Sequence, residues 1–226
     1  LADTITRLQK ETHLWVVSLE HRSPRSIFEA SLTGHLALVV GGVVVYMVLS
    51  NDVANHLREY ATLNRGTIDE GTTVVGDDCL IMAYAHVSHD SRVGNHVILA
   101  NSVNMGGHVL IEDWAIVGGL TAIHQFVRVG AHAFVGGASR TSQDVPPYTK
   151  AAGSPMKLYG LNSIGLDRRG FSQEVRQALK NAYRAVFQGN LPLTQGLEQA
   201  EAEAEDFPEV RHFLSFIRTS ERGVTT

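Results

Sequence analysis

The chain has 226 residues, 44% of them hydrophobic, and a formal net charge of -4. That length holds one large domain or two small ones, and the acidic balance argues against a nucleic-acid partner held by net charge. The single cysteine, Cys79, excludes an intrachain disulfide and suits a reducing cytosol.

In chain order, residues 1–46 lack the rhythm that governs the middle of the chain. Leu1 to Leu14 carries charged residues throughout and does not read as a signal peptide. The spacing predicts a short helix over Thr4 to Val17 and a polar break over Arg22 to Arg25. Leu36 to Leu49 is the most apolar run, yet its fourteen residues with two central glycines fall short of the roughly 20 that a membrane span needs. It reads as a buried strand pair, so no membrane span is expected.

Leu57 and Leu63 then come into a spacing of six, ahead of a loop at Asp69, Glu70 and Gly71. From Val75 to Val135 every sixth residue is aliphatic, eleven without a miss, and the residue four places after each is small or β-branched. A helix repeats near 3.6 and a strand near 2, so neither explains a period of six. A hexapeptide-repeat parallel β-helix does: each hexad makes a short flat run and a corner, and three hexads close one triangular coil. Residues eighteen apart therefore stack in columns. Gln143 to Tyr148 (QDVPPY) is expected to end the regular prism, because paired prolines cannot donate to a parallel ladder.

Beyond Leu166 the period becomes helical. Val175, Ala178, Leu179, Ala182, Tyr183, Val186 and Phe187 predict a helix with Ser172 as N-cap and Gly189-Asn190 as its stop. Leu193, Leu197, Ala200 and Ala204 predict a second. Val210, Phe213, Leu214 and Ile217 predict a third, with Pro208 in its first turn. Glu201, Glu203 and Glu205 read as a solvated face. The fold class is thus mainly β, a β-helix followed by a small helical domain. The expected divisions are an atypical N-terminal segment over 1–46, the β-helix over 47–165 and helices over 166–226.

The column rule locates a site. His89, Gly107 and Gln125 share one column, Asp90, His108 and Phe126 the next, and Ser88, Gly106 and His124 the one before. Neighbouring strands lie about 4.7–4.9 Å apart, so these residues cluster on one corner, away from the aliphatic core. A neutral imidazole oriented by a carboxylate is a competent general base near neutral pH. Gly107 has no side chain to shield its amide, which could serve an oxyanion. Clustered histidines also suit zinc, as in γ-class carbonic anhydrases, where a third histidine lies about five residues after the second. Here those positions are Val129 and Gly137, so no metal is expected.

Ala85 to Asp90 (AHVSHD), Gly94 to Ala100 (GNHVILA), Gly118 to Phe126 (GGLTAIHQF), Gly130-Ala131-His132, Val135-Gly136-Gly137, QDVPPY and Gly165 to Phe171 (GLDRRGF) together resemble one family. It is that of the acyl-[acyl-carrier-protein]–UDP-N-acetylglucosamine O-acyltransferases of lipid A biosynthesis, and the resemblance covers about residues 57 to 220. It implies a cytoplasmic homotrimer of left-handed β-helices with active sites between subunits, and acyl carrier protein and UDP-N-acetylglucosamine as partners. The acyl donor would ride on the carrier's phosphopantetheine, with no other cofactor. His89 matches the family's general base, Asp90 its orienting carboxylate and the Gly107 amide its oxyanion donor. His86, His108, His124 and Gln125 match substrate-contacting positions, Asn162 and Arg168 match residues at the nucleotide end, and Gly137 matches a hydrocarbon ruler.

Some features depart from that pattern. Family members normally begin with more hexad coils and a loop bearing a Gln-Asp-Leu-Lys-like segment, and residues 1–46 carry neither. Asp167 stands where a basic residue is common, and Ser154-Pro155 where Asn-His is. An open β-helix end needs covering, so residues 1–46 are expected to cap the first coil. Two other readings are a silent trimeric scaffold and a related N-acyltransferase, although 46 residues are too few for the uridine-binding domain that such enzymes carry.

Overall fold

The computed structural model describes residues 35–40, 43–48, 55–58, 60–67, 71–189 and 191–226. Twelve two-residue strands, β5 to β16, recur every six residues from Val74–Val75 to Arg140–Thr141. In each, the second residue is buried and the first is not. The strands form three parallel sheets, the faces of a triangular prism, with partners eighteen residues apart: Leu110 pairs with Arg128, and Ile116 with Phe134. Ile81, Leu99, Ile111, Val117 and Val135 stack inside with no exposed surface, and the small residues four places on, such as Cys79, Ala85 and Ala115, fill the corners beside them. This is the β-helix expected from the period of six.

Each hexad turns through one left-handed residue. Eleven non-glycine residues at six-residue intervals, from Asp78 to Ala138, have φ between 53° and 64°. Left-handed backbone costs L-residues roughly 1–2 kcal/mol each. The ladder runs through the corners and offsets that cost: His96, Trp114 and His132 donate their N–H to the carbonyls of Asp77, Asn95 and Asp113 at 2.7, 2.8 and 3.0 Å. The corner side chains point outward and stack, as His96 does on Trp114 with centroids 3.9 Å apart.

The first coils depart from the regular spacing. Strands β3 (His56–Leu57) and β4 (Thr62–Leu63) pair with Leu80–Ile81 and His86–Val87 across 24 residues instead of eighteen. The six extra residues lie between Leu63 and Val74, where the loop was expected. Before them, β1 (His35–Val40) and β2 (Val43–Val48) form the antiparallel pair expected over 36–49, and β2 lies beside Val74–Val75 through Val48. The expected helix over 4–17 and the rest of the expected cap lie outside the described residues.

QDVPPY does not end the ladder. Val145 donates to Arg128 at 2.8 Å and accepts from Gly130 at 2.9 Å before the prolines turn the corner. The spacing shortens to sixteen, and β17 (Thr149–Gly153) continues the sheet through Phe134 with Lys150 and Val135 with Ala151. The prolines sit where no strand donor is needed, so they shorten the coil without breaking it. β18 (Met156–Leu161) folds back antiparallel.

Beyond β18, four helices follow among the described residues: α1 (Ser163–Arg168), α2 (Gln173–Phe187), α3 (Leu193–Glu203) and α4 (Pro208–Arg218). Three were expected. The extra one, α1, is a six-residue turn too short to display a period. Ser172 caps α2 by accepting from Val175 at 3.3 Å, and Pro208 opens α4. Leu166, Leu179, Val210 and Phe213 form a second core with no exposed surface. Among the described residues, no helix is long and apolar enough to cross a membrane.

Candidate active site

His89 and Asp90 occupy one corner of the prism, and the next two coils stack Gly107-His108 and Gln125-Phe126 upon them. His108 N–H donates to the His89 carbonyl at 3.0 Å, and Phe126 N–H to the Gly107 carbonyl at 3.1 Å. The His108 ring stacks on Phe126 (4.7 Å between centroids) and meets His89 edge-on (5.3 Å). Because the corner is part of the ladder, its side chains are held by main-chain register.

His89 Nδ1 lies 2.8 Å from Asp90 Oδ2, with the His89 side chain 34% exposed and the Asp90 side chain 6%. The carboxylate accepts further bonds from the Thr67 hydroxyl at 2.7 Å and from Thr67 N–H at 3.2 Å to each oxygen. Asp90 N–H in turn donates to Thr73 Oγ1 at 3.0 Å. Burial alone would raise the carboxyl pKa, but the Thr67 hydroxyl, the His89 ring, the Thr67 amide and the nearby His108 outweigh it, so Asp90 sits below the usual carboxylate range. An ionised carboxylate accepts the Nδ1 proton, which leaves the lone pair of His89 on Nε2.

Gly107 makes room for that ring. A Cβ there would stand 2.4 Å from His89 Cε1 and 2.6 Å from Nε2, so any L-residue would displace the imidazole. No group among the described residues accepts the Gly107 N–H. Cys79 offers no rival nucleophile: it is buried in the prism, and that burial pushes its thiol up to about 11.

The other candidates spread around this centre. His86, on the strand leading to His89, has Nδ1 2.7 Å from Thr62 Oγ1, and burial followed by the charge of His89 holds its pKa down. His124 and Gln125 are exposed two coils along, with His124 Nδ1 3.3 Å from the guanidinium of Arg222. The remaining three lie elsewhere in the chain. Gly137 is on the corner of Tyr84 and Leu120, stacked over Gly119. Asn162 is buried on the corner of Trp114 and His132, where it caps α1 and donates to the His132 carbonyl at 3.0 Å. Arg168 is exposed at the end of α1, while its neighbour Arg169 is the one anchored, donating to the Trp114 carbonyl at 2.9 Å. Sequence reasoning missed Thr67 and Thr73, which are outside the eighteen-residue columns that located the rest.

Residues 144–225 match the family described as "Udp N-acetylglucosamine O-acyltransferase; Domain 2", and residues 72–107 match the bacterial transferase hexapeptide repeats. An acyl-[acyl-carrier-protein]--UDP-N-acetylglucosamine O-acyltransferase of Burkholderia mallei (strain SAVP1) is 46% identical over 175 residues, covering 75% of this chain and 67% of that protein. A UDP-N-acetylglucosamine acyltransferase structure from Bacteroides fragilis 9343 superposes with a TM-score of 0.77 at 40% identity, covering 83% of this chain and 72% of that one. Another from Francisella novicida superposes at 0.74 with 30% identity, covering 92% and 70%. With the hexapeptide prism, the helical domain and this degree of identity in common, the chain belongs to the UDP-N-acetylglucosamine O-acyltransferase family.

Proposed function

We propose that this chain transfers a 3-hydroxyacyl group from acyl carrier protein to the 3-hydroxyl of UDP-N-acetylglucosamine, the first step of lipid A biosynthesis, with His89 as general base. The observation that carries the reading is the 2.8 Å contact between His89 Nδ1 and Asp90, which leaves Nε2 as the free base. His89 Nε2 takes the hydroxyl proton as the sugar oxygen attacks the thioester carbonyl. The oxyanion that forms accepts from the Gly107 N–H, the donor beside that ring. Collapse expels the carrier's thiolate, which recovers the proton from His89, and leaves a sugar ester and a free thiol. Acid–base catalysis of this kind contributes roughly 10²–10⁴ in rate.

His86, His108, His124 and Gln125 contact substrate in this reading, and no metal or cofactor beyond the carrier's own arm takes part. Gly137, Asn162 and Arg168 lie on the other two corners, so they serve the site across subunits of a cytoplasmic homotrimer. Their separation from His89 within one chain supports that assembly. The test is an acyl-transfer assay with 3-hydroxyacyl carrier protein and UDP-N-acetylglucosamine, run beside His89→Ala and beside calorimetry with the nucleotide sugar. Turnover should fall by about 10²–10⁴ in the variant while sugar binding persists. A folded protein that neither binds the sugar nor turns over would reject the reading in favour of a silent scaffold.

A further inference from the structure

We propose that His89, Asp90 and His108 also bind a divalent transition-metal ion of the zinc type, and that its binding switches the catalytic corner off. Each of the three offers one ligand atom, and these atoms lie within 4.8 Å of one another. Asp90 Oδ2 is 2.8 Å from His89 Nδ1 and 3.8 Å from His108 Nε2. Ligand atoms around a tetrahedral zinc stand about 3.3 Å apart, as bond lengths near 2.0–2.2 Å require. The two distances bracket that value, so small rotations of three side chains close the site without moving the backbone.

The donor chemistry selects the ion. Two imidazoles and one carboxylate suit zinc, cobalt or copper, whereas magnesium and calcium favour oxygen ligands throughout. Asp90 is held in place by the Thr67 hydroxyl and amide, the kind of outer support that metal-ligating carboxylates need. Main-chain bonding from His108 to the His89 carbonyl, with Phe126 stacked on His108, restricts how far the two rings can part. Both rings are about one-third exposed, so an ion reaches them from solvent and its fourth position stays open to water.

The consequence lies in the tautomer. Acyl transfer by the proposed route needs the His89 proton on Nδ1 and the lone pair on Nε2. A metal ion on Nδ1 needs a lone pair there, so the Nδ1 proton of the neutral ring is displaced to Nε2, where it occupies the lone pair that acyl transfer requires. No proton is lost from the ring, but Nε2 becomes a donor and can no longer accept one from the sugar hydroxyl. Binding rests only on the three ligands, whereas the switch rests also on His89 being the base.

Tag-free protein stripped of metal is titrated with zinc chloride by calorimetry, and with cobalt(II) by visible absorption, which reports the coordination number directly. One ion per chain is expected, with the absorption of a four-coordinate nitrogen–oxygen site. His108→Asn and Asp90→Asn, each checked for native circular dichroism, should weaken binding at least about tenfold, at the low end for loss of even an outer-shell partner. Magnesium in large excess should not compete. In the transfer assay, activity should fall along the same occupancy curve and return when EDTA is added. Sub-stoichiometric binding, or binding that both variants leave unchanged, overturns the site. Stoichiometric binding with full turnover at saturation overturns the switch. Failure of turnover in metal-free protein would count against the acyl-transfer reading instead, and leaves the spectroscopic test of the site intact.

Discussion

At the scale of single residues, the site depends on how one carboxylate is kept charged and aimed. The Asp90 side chain is only 6% exposed, and burial without donors would raise its pKa. Thr67 supplies a hydroxyl and an amide to it, reaching across 23 positions of sequence. Thr67→Val should therefore lower kcat about tenfold while leaving KM for the sugar nearly unchanged, and Thr67→Ser should restore it. Steady-state kinetics on the three proteins decide this, and equal kcat in wild type and Thr67→Val would remove Thr67 from a positioning role. Gly107→Ala should cost as much activity as His89→Ala, because its Cβ would occupy the ring's place. Thermal unfolding should show the prism intact in Gly107→Ala, and full turnover in it would defeat the steric account. His89, Gly107 and Gln125 were legible as a group because a fixed period converts sequence separation into spatial stacking. Thr67 was not, since it lies on the six-residue insertion where the period lapses.

At the scale of elements, the hexad proves informative wherever the ladder is regular. The strand positions from Val75 to Val135 and the three amphipathic helices were readable from periodicity alone, because each buries one face and the repeat exposes it. What failed were features with no repeat: the turn α1, and the behaviour of Pro146 and Pro147, whose effect depends on landing at a corner instead of in a strand. The regular corners also separate tasks. His89 and Asp90 stand on one, Trp114 and His132 on the second, and Tyr84, Leu120 and Gly137 on the third. Gly137 stacks over Gly119, and a Cβ on it would lie 3.1 Å from the Gly119 carbonyl, a contact a small adjustment relieves. Gly137→Met should thus fold and project a side chain outward from that corner. On the proposed function it would shorten the acyl groove, shifting preference toward shorter chains. Competition between carriers of different chain length measures this, and an unchanged preference would sink the ruler role.

At the scale of the whole molecule, the prism and the helical domain are joined by polar contacts as much as by apolar packing. Arg128 lies over the Phe216 ring at 4.0 Å and donates to Thr219, while His212 links Glu112 at 3.0 Å to the Tyr148 hydroxyl at 3.0 Å. His132 makes this seam sensitive to pH. Burial and the neighbouring Arg169 guanidinium, 3.4 Å from Nδ1, together with His212 outweigh the pull of Asp113 and lower its pKa from 6.5 to about 4. Tyr148 stacks on the same ring, its hydroxyl pushed up by burial and by Glu209 and Glu112, so it stays neutral and does not compensate. The unfolded chain thus binds a proton at this position that the folded chain refuses between about 6.5 and about 4. Stability contributed here is present above the upper value, falls as the pH drops through the window, and changes no further below it. His132→Asn should flatten that part of the profile in urea unfolding monitored by fluorescence across the same window. Parallel profiles in the two proteins would refute the assignment. Because Asn162 donates to the His132 carbonyl and Arg169 to its ring, opening the seam in acid should also loosen the α1 end, where nucleotide contacts are proposed. Sugar affinity in wild type should therefore fall across the window more steeply than in His132→Asn, which calorimetry at matched pH values can read.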